Sequence, residues 1–193
     1  MHANKLTKKI MYTRLLILPI LVVAILTLSS CSVFKFAKIY TSTEPGSGQL
    51  HGYIYTTDLT SYSIGKLDDN WKRVEIDYGD LFYTNNNKTS AITVNSTCNP
   101  NKAKYNLSVL AGSLLVGVKG KKLIDRELLM VDGEDALFSL YDAKFEGDDI
   151  KIATVVFKKG QCVYDFSYLN INNEFDTYLK EFVEFISEFR VLD

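Results

Sequence analysis

Histidine is scarce in this chain, which has only His2 and His51 among its 193 residues. A catalytic histidine needs a rigid mount beside an orienting carboxylate, and His51 lies in a segment rich in glycine and serine. The G-x-S-x-G elbow of serine hydrolases is missing. The acidic clusters "LDDN", "DGED" and "EGDD" do not have the spacing of a calcium-binding EF-hand loop. We therefore expect a protein without enzymatic activity, metal or cofactor.

The N-terminal apolar segment is too short to cross a membrane. A transmembrane helix needs about 20 apolar residues, whereas the run "LLILPILVVAILTL" at residues 15–28 has 14. Three lysines and an arginine precede it, and residues 1–30 contain no aspartate or glutamate. A basic start, a short apolar core and small residues at its end are typical of a secretory signal peptide. Translation starts at Met1 or at Met11, and an uncleaved signal anchor is the alternative interpretation.

The end of this segment, "LSSC" at residues 28–31, resembles the lipobox of bacterial lipoproteins. The resemblance implies cleavage before Cys31, a diacylglycerol on the Cys31 thiol, and a fatty acid such as palmitate on its amine. Two or more acyl chains hold a protein stably on a membrane. The resemblance also implies a place in the cell envelope outside the cytoplasm. Ser32 resembles the sorting pattern for the outer membrane, where the domain of a Gram-negative lipoprotein faces the periplasm.

These features divide the chain into a signal peptide at residues 1–30, a lipidated N-terminus and flexible tether at 31–52, and a single domain at 53–193. The tether is indicated by clustered Thr, Ser, Pro and Gly before residue 53. Without residues 1–30, lysine plus arginine falls from 22 to 18 while aspartate plus glutamate stays at 23, so the net charge becomes −5. This balance argues against binding to nucleic acid, which attracts basic surfaces.

Hydrophobic periodicity in the domain predicts an α+β fold. Strands are predicted at residues 62–67, 72–78, 80–85, 90–98, 126–133, 136–147, 149–157 and 161–169, with a helix as the alternative for 136–147. Helical spacing of Leu107, Leu110, Leu114, Leu115 and Val118 predicts one helix at about residues 102–118. A C-terminal helix carries an apolar stripe made of Phe175, Leu179, Phe182, Phe185, Ile186 and Phe189. This order predicts a mainly antiparallel sheet with two helices packed on it.

The order of these elements resembles that of the PsbP-like fold, an α/β/α sandwich. The resemblance depends on that order and on the hairpin strand "CVYDFSY", which leads into an amphipathic helix. It implies a role in binding rather than in chemistry.

Two cysteines remain once Cys31 carries a lipid. Cys98 and Cys162 each share the apolar parity of their predicted strands, so both are expected to point into the same core. Disulfides persist in secreted proteins, and a Cys98–Cys162 bond is therefore predicted. Two buried free thiols that pack as small apolar groups are the alternative.

The leading functional hypothesis is a membrane-anchored envelope lipoprotein that binds protein partners or helps to assemble an envelope complex. It contacts the membrane through its lipid and binds no nucleic acid. The alternative is a carrier that holds a lipid or small molecule in a pocket between the sheet and the helices. A hydrolase that uses carboxylates or a serine is the third hypothesis.

Overall fold

The structure is a computed structural model that describes residues 48–77, 79–145, 147–171 and 174–192. Its strands are β1 (Gln49–His51), β2 (Ile54–Thr56), β3 (Ser61–Ser63), β4 (Trp71–Arg73), β5 (Leu81–Asn85), β6 (Ser90–Cys98), β7 (Lys119–Val131), β8 (Glu134–Phe145), β9 (Asp148–Lys159), β10 (Cys162–Asn170) and β11 (Arg190–Leu192). Its helices are α1 (Pro100–Ala103), α2 (Leu107–Ser113) and α3 (Phe175–Ser187). The predicted α+β class is confirmed. Cys31, the signal peptide and most of the tether lie outside the described residues.

Seven antiparallel strands form the main sheet, in the order β4-β5-β6-β10-β9-β8-β7. Strands β7 to β10 follow one another through short turns. The turn between β7 and β8 is Asp132–Gly133, where φ is positive at both residues, 51° and 80°, as a two-residue type I′ hairpin turn requires. The stretch 136–147, for which both a strand and a helix were considered, forms most of strand β8. Strand β7 is longer than predicted, because it begins at Lys119 rather than at residue 126.

The structure adds a second, four-stranded sheet to the one that the sequence predicts, in the order β1-β2-β3-β11. Its first strand, β1, lies inside the segment predicted as the tether and pairs with β2. Tyr55 and Tyr62 stand opposite each other on β2 and β3, and both are buried. Strands of three residues are too short to show a clear alternation in the sequence. The strand predicted at 62–67 overlaps β3 only at Tyr62 and Ser63, and its place in a separate sheet was not predicted.

On one side of the main sheet, aromatic rings fill the space beneath α3. Tyr164, Phe166 and Tyr168 occupy every second position of β10 and therefore point to this side. They meet the predicted apolar stripe of α3, whose buried members are Phe175, Phe182, Phe185 and Ile186, with Leu179 packed against them. Phe189 was predicted as part of this stripe and is also buried there, but it lies just beyond the end of α3. Full burial of such side chains contributes about 1.5–3 kcal/mol each. The predicted position of the stripe against the sheet is confirmed, and we call this the α3 side.

The opposite side of the main sheet, here called the α2 side, is covered by α1 and α2. The prediction of a single helix at residues 102–118 is wrong, because α1 ends at Ala103 with Lys104 as its C-cap, and Asn106 then starts α2 as its N-cap. Its Oδ1 accepts a hydrogen bond from the Val109 N–H at 2.9 Å, which is the preferred role of asparagine at a helix N-cap. Leu110, Leu115 and Val118 are still buried, so the apolar spacing was correct although the backbone differs. None of the three helices in the described ranges is long and apolar enough to cross a bilayer.

Candidate functional site: a cleft bounded by the disulfide

The Cys98–Cys162 disulfide joins the end of β6 to the start of β10. The antiparallel register places the two residues directly opposite each other, with their Cα atoms 3.9 Å apart. Both residues are half-buried, so they lie at the edge of the core rather than inside it as expected. The bond fixes one rim of an open cleft.

This cleft has a volume of about 780 Å³ and lies where the two sheets meet. The loop between β2 and β3 forms one wall, the turn between β9 and β10 forms the second, and β11 forms the third. Its lining combines polar and apolar surface. The polar or backbone-lined positions are Thr57, Asp58, Thr60, Ser61, Lys159, Gly160, Gln161 and Tyr164, and the apolar side chains include Leu59, Val191 and Leu192. A lining that mixes polar and apolar groups suits a peptide, which presents both kinds of group, better than a bare hydrocarbon chain.

The β2–β3 loop holds Leu59 out into solvent on a rigid turn. The Thr57 hydroxyl accepts hydrogen bonds from the N–H groups of Leu59 and Thr60, at 3.1 and 3.0 Å. The Thr57 N–H in turn donates to the Thr60 carbonyl at 2.8 Å. Leu59 is 73% exposed. An apolar side chain presented on an ordered loop loses little conformational entropy when a partner covers it.

The third wall is held to the main sheet by Asp132, the turn residue between β7 and β8. Its carboxylate pairs with Lys159 and accepts a hydrogen bond from the Val191 N–H at 3.0 Å. Partial burial opposes ionisation of this carboxyl, but the bonds from Lys159 and Val191 and the nearby charges outweigh that effect and lower its pKa below the usual value. Asp132 therefore fastens β11, β9 and the β7–β8 turn together.

The floor of the cleft is the Tyr164 ring. Its hydroxyl lies 2.7 Å from the Thr60 Oγ1, and its ring stacks on Phe157 with 5.1 Å between the ring centres. Burial raises the pKa of Tyr164, so the phenol stays neutral and retains a proton for a hydrogen bond. The arrangement is preorganised for binding through hydrogen bonds around one exposed apolar side chain.

A second cleft of about 570 Å³ lies at the opposite end of the main sheet, where β8, β9 and the start of α3 meet. Four aspartates line it, Asp142, Asp148, Asp149 and Asp176. Lys144 pairs with Asp149 at 2.7 Å, and Lys151 Nζ lies 5.5 Å from the ring centre of Phe175. Within the described part of the chain, no group of three or more His, Cys, Asp or Glu residues is arranged to hold a metal ion. His51 stands exposed on β1.

The α2 side contains a row of polar residues, buried except for Arg126 at its end, that the sequence did not reveal. Register places Thr93, Ser167, Thr154, Ser139 and Arg126 next to one another across five strands, from β6 to β7. Arg126 donates to the Ser139 hydroxyl at 3.2 Å. Thr93 Oγ1 and Ser167 Oγ are buried and have no hydrogen-bond partner among the described residues. The only hint in the sequence is that Ser167 alternates with aromatic residues in β10.

Asp165 lies beside this row and is buried. Its carboxylate accepts a hydrogen bond from the Asn95 side-chain amide at 2.8 Å. Burial is the largest influence on this carboxyl and raises its pKa to about 6, although Asn95 and the charge of Lys102 act in the opposite direction. A buried carboxyl of this kind makes stability depend on pH.

No protein-family model matches this sequence, and no curated protein matches it either. Solved structures do share its architecture. LpqN of Mycobacterium tuberculosis, described as involved in cell envelope biogenesis, aligns with a TM-score of 0.57 and 15% identity over 76% of this chain and 90% of LpqN. The cyanobacterial PsbP protein of Synechocystis sp. PCC 6803 aligns with a TM-score of 0.51 and 15% identity over 78% of this chain and 96% of that one. At such low identity the likeness shows the fold alone: this chain has the PsbP-like α+β fold that its element order predicted.

Proposed function

We propose that this chain is a lipid-anchored subunit of the cell envelope that works outside the cytoplasm by binding a protein partner, without catalysis. The main observation behind the proposal is the exposure of an apolar side chain beside the cleft. Leu59 is 73% exposed on a hydrogen-bonded turn. Protein interfaces gain most of their affinity from a few ordered anchor residues surrounded by polar contacts. The disulfide on the facing rim keeps the cleft in its binding shape before the partner arrives.

Three further observations support the envelope location. Disulfides such as Cys98–Cys162 persist mainly in oxidising compartments. "LSSC" resembles a lipobox, and the similar structure LpqN is described as involved in cell envelope biogenesis. The carrier hypothesis has no comparable support, because aromatic rings fill the space beneath α3 and both clefts are open to solvent rather than enclosed.

The lipid anchor is tested by the mass of the full chain extracted from membranes. We expect a chain that begins at Cys31 and carries acyl groups, and we expect Cys31→Ala to remain uncleaved at this site. An unmodified Cys31 on an uncleaved chain would contradict the anchor.

Partner binding is tested with a photo-crosslinking amino acid at position 59 of the full chain in intact cells. Val183 is the matched control, because it is also exposed but lies on α3. We expect one discrete adduct from position 59 and none from position 183, and Leu59→Ala should lower recovery of the identified partner about tenfold or more. A correctly located chain that forms no adduct at position 59, or equal adducts at both positions, would overturn the proposed role of the cleft.

A further inference from the structure

The two helical layers of the domain carry opposite charge. Residues 99–118, which include α1 and α2, contain two lysines and no carboxylate, whereas residues 174–188, which include α3, contain five carboxylates and one lysine. Two lysines outside this segment add positive charge to the layer formed by α1 and α2. Lys121 and Lys158 donate hydrogen bonds to backbone carbonyls of the α1–α2 segment, at 3.0 to 3.2 Å. The α2 side is therefore the more cationic of the two.

The cationic side also exposes large apolar side chains. Tyr105, Val109 and Val116 of the α1–α2 segment are each more than half exposed, and so are Leu128 and Met130 of β7. Leu128 belongs to this side because it stands opposite Leu137, which packs against α2. We use the name basic apolar face for the set formed by Lys104, Tyr105, Val109, Val116, Lys121 and Leu128.

Few carboxylates interrupt this surface. Register assigns Asp135 to the α2 side, opposite Met130, and Asp148 to the same side, opposite Phe145. Asp135 is near the β7–β8 turn and Asp148 opens β9, so both lie at ends of the sheet. Asp165 on this side is buried beneath the helices. The middle of the face thus combines lysines with apolar groups.

We propose that the basic apolar face docks on the surface of an anionic lipid bilayer, with α3 turned away from it. Lysines near an anionic leaflet are attracted to its phosphate groups, and their long stems allow the apolar part of the side chain to lie against hydrocarbon. Tyrosine and aliphatic side chains partition into the interface. The carboxylates of the α3 layer are repelled by the same leaflet, so the charge distribution selects one orientation. This contact does not involve the cleft and does not require a lipid on Cys31.

A bilayer fits this face better than a second copy of the chain does. In a two-fold contact the same patch meets itself, so the lysines of one copy would face those of the other. Strand β7, the edge of the main sheet, is interrupted by register shifts between Lys119 and Lys122 and between Leu123 and Asp125. Bulges of this kind hinder edge-to-edge pairing of strands.

The experiment uses the full chain with one tryptophan added at Val116, and the matched control adds it at Val183 on α3. The natural Trp71 is the sole tryptophan in the chain and is buried, so its signal is subtracted with the unsubstituted protein. Each protein is mixed with vesicles of phosphatidylcholine alone or of phosphatidylcholine with phosphatidylglycerol. Flotation measures binding, and quenching by brominated lipid measures depth.

We expect Val116→Trp to be quenched on the anionic vesicles and Val183→Trp to remain unquenched. The quenching should disappear at an ionic strength of about 1 M, where the screening length is about 3 Å. Lys104→Glu with Lys121→Glu should lower partition onto anionic vesicles at least 25-fold, since each lysine near the surface contributes about fivefold. Lys66→Glu with Lys180→Glu makes the same change in charge elsewhere on the exposed surface and should have little effect.

Any of the following four results would overturn the inference. If the chain floats with both vesicle types but Val116→Trp is not quenched, an N-terminal anchor alone holds it. If it floats with neither, the face has no affinity for the bilayer. If both tryptophan variants are quenched equally, there is no preferred orientation. If the chain instead dimerises and Val116→Trp is shielded without lipid, the face is an interface between copies.

Discussion

The two sides of the main sheet are built on different physical principles. On the α3 side, one helix of 13 residues buries an aromatic stripe against Tyr164, Phe166 and Tyr168. On the α2 side, helices of four and seven residues cover a sheet face crossed by the polar row, of which four members are buried. The apolar contacts there form two separate groups, one around Leu110 and one around Leu115. The same seven strands thus support one side rich in apolar contacts and one with fewer.

This difference means that the α3 side mainly stabilises the fold, whereas the α2 side exposes the groups that can contact the surroundings. Aromatic burial on the α3 side provides the larger hydrophobic contribution, because each ring removes a large apolar area from water. The α2 side loses some of that contribution to buried hydroxyl groups, since a buried polar group without a partner costs about 1–3 kcal/mol. Its outer surface, in turn, exposes lysines and apolar side chains. Substitutions on the two sides should therefore have unequal effects.

The largest effect is expected from Phe182→Ala on the α3 side. Phe182 is fully buried and contacts Tyr168, with 5.6 Å between the ring centres. The change should lower the free energy of unfolding by about 3–5 kcal/mol, measured by urea denaturation. Leu110→Ala on the α2 side should cost less, because a short helix can move into the vacated space. The neighbouring control Val183→Ala, at an exposed site, should stay within about 0.5 kcal/mol. If both substitutions lower the free energy of unfolding equally, the two sides do not differ in their contribution to stability.

The second largest loss of stability is expected when the disulfide at the edge of the core is removed. Replacing both Cys98 and Cys162 with alanine removes a cross-link that spans 64 residues. The loss of stability should be about 2–4 kcal/mol, because the unfolded chain regains the freedom that the bond had removed. Comparing urea midpoints of the oxidised protein and the double variant measures it. An unchanged midpoint would mean that strand pairing alone holds β6 against β10.

A smaller effect, dependent on pH, is expected at Asp165 on the α2 side. Its pKa rises from 3.8 to about 6 on folding, mainly through burial, so the folded chain binds more protons than the unfolded chain in that interval. Stability from this group is therefore present at low pH and is lost as pH rises from about 4 to about 6. Asp165→Asn should remove this loss and raise the free energy of unfolding above pH 6 by about 1–3 kcal/mol.

Urea titrations of both proteins across this pH range provide the measurement. Burial also raises the pKa of Asp80, and its contribution remains in the variant as a common background. If the difference between the two proteins does not change with pH, the Asp165 carboxyl does not titrate in this window.

The smallest effect is expected within the polar row. Thr93→Val replaces a buried hydroxyl that has no partner among the described residues with a methyl group, and should stabilise the protein by about 1 kcal/mol or less. Ser139→Ala is the contrasting change, because it removes the acceptor of the Arg126 bond and should destabilise the protein by a similar amount. Thermal unfolding compares the two. Destabilisation by both would show that the Thr93 hydroxyl is satisfied in solution.

The sequence alone determined the features that repeat within one element. Period-two alternation located β6 and β10, and period 3.6 located the stripe of α3, because each pattern records which face of a single segment avoids water. The parity of Cys98 and Cys162 pointed to the pair that the structure joins. The α+β class and its PsbP-like order followed from the succession of such segments.

The tertiary structure decided everything that depends on which strands lie side by side. Strand β11 returns to the N-terminal β3, Asp132 reaches both Lys159 and Val191, and the polar row gathers single residues from five strands. Leu59 becomes a candidate anchor only because its loop stands beside the β9–β10 turn. Local periodicity contains no information on register between segments far apart in the chain, since that register is set by the packing of the whole core.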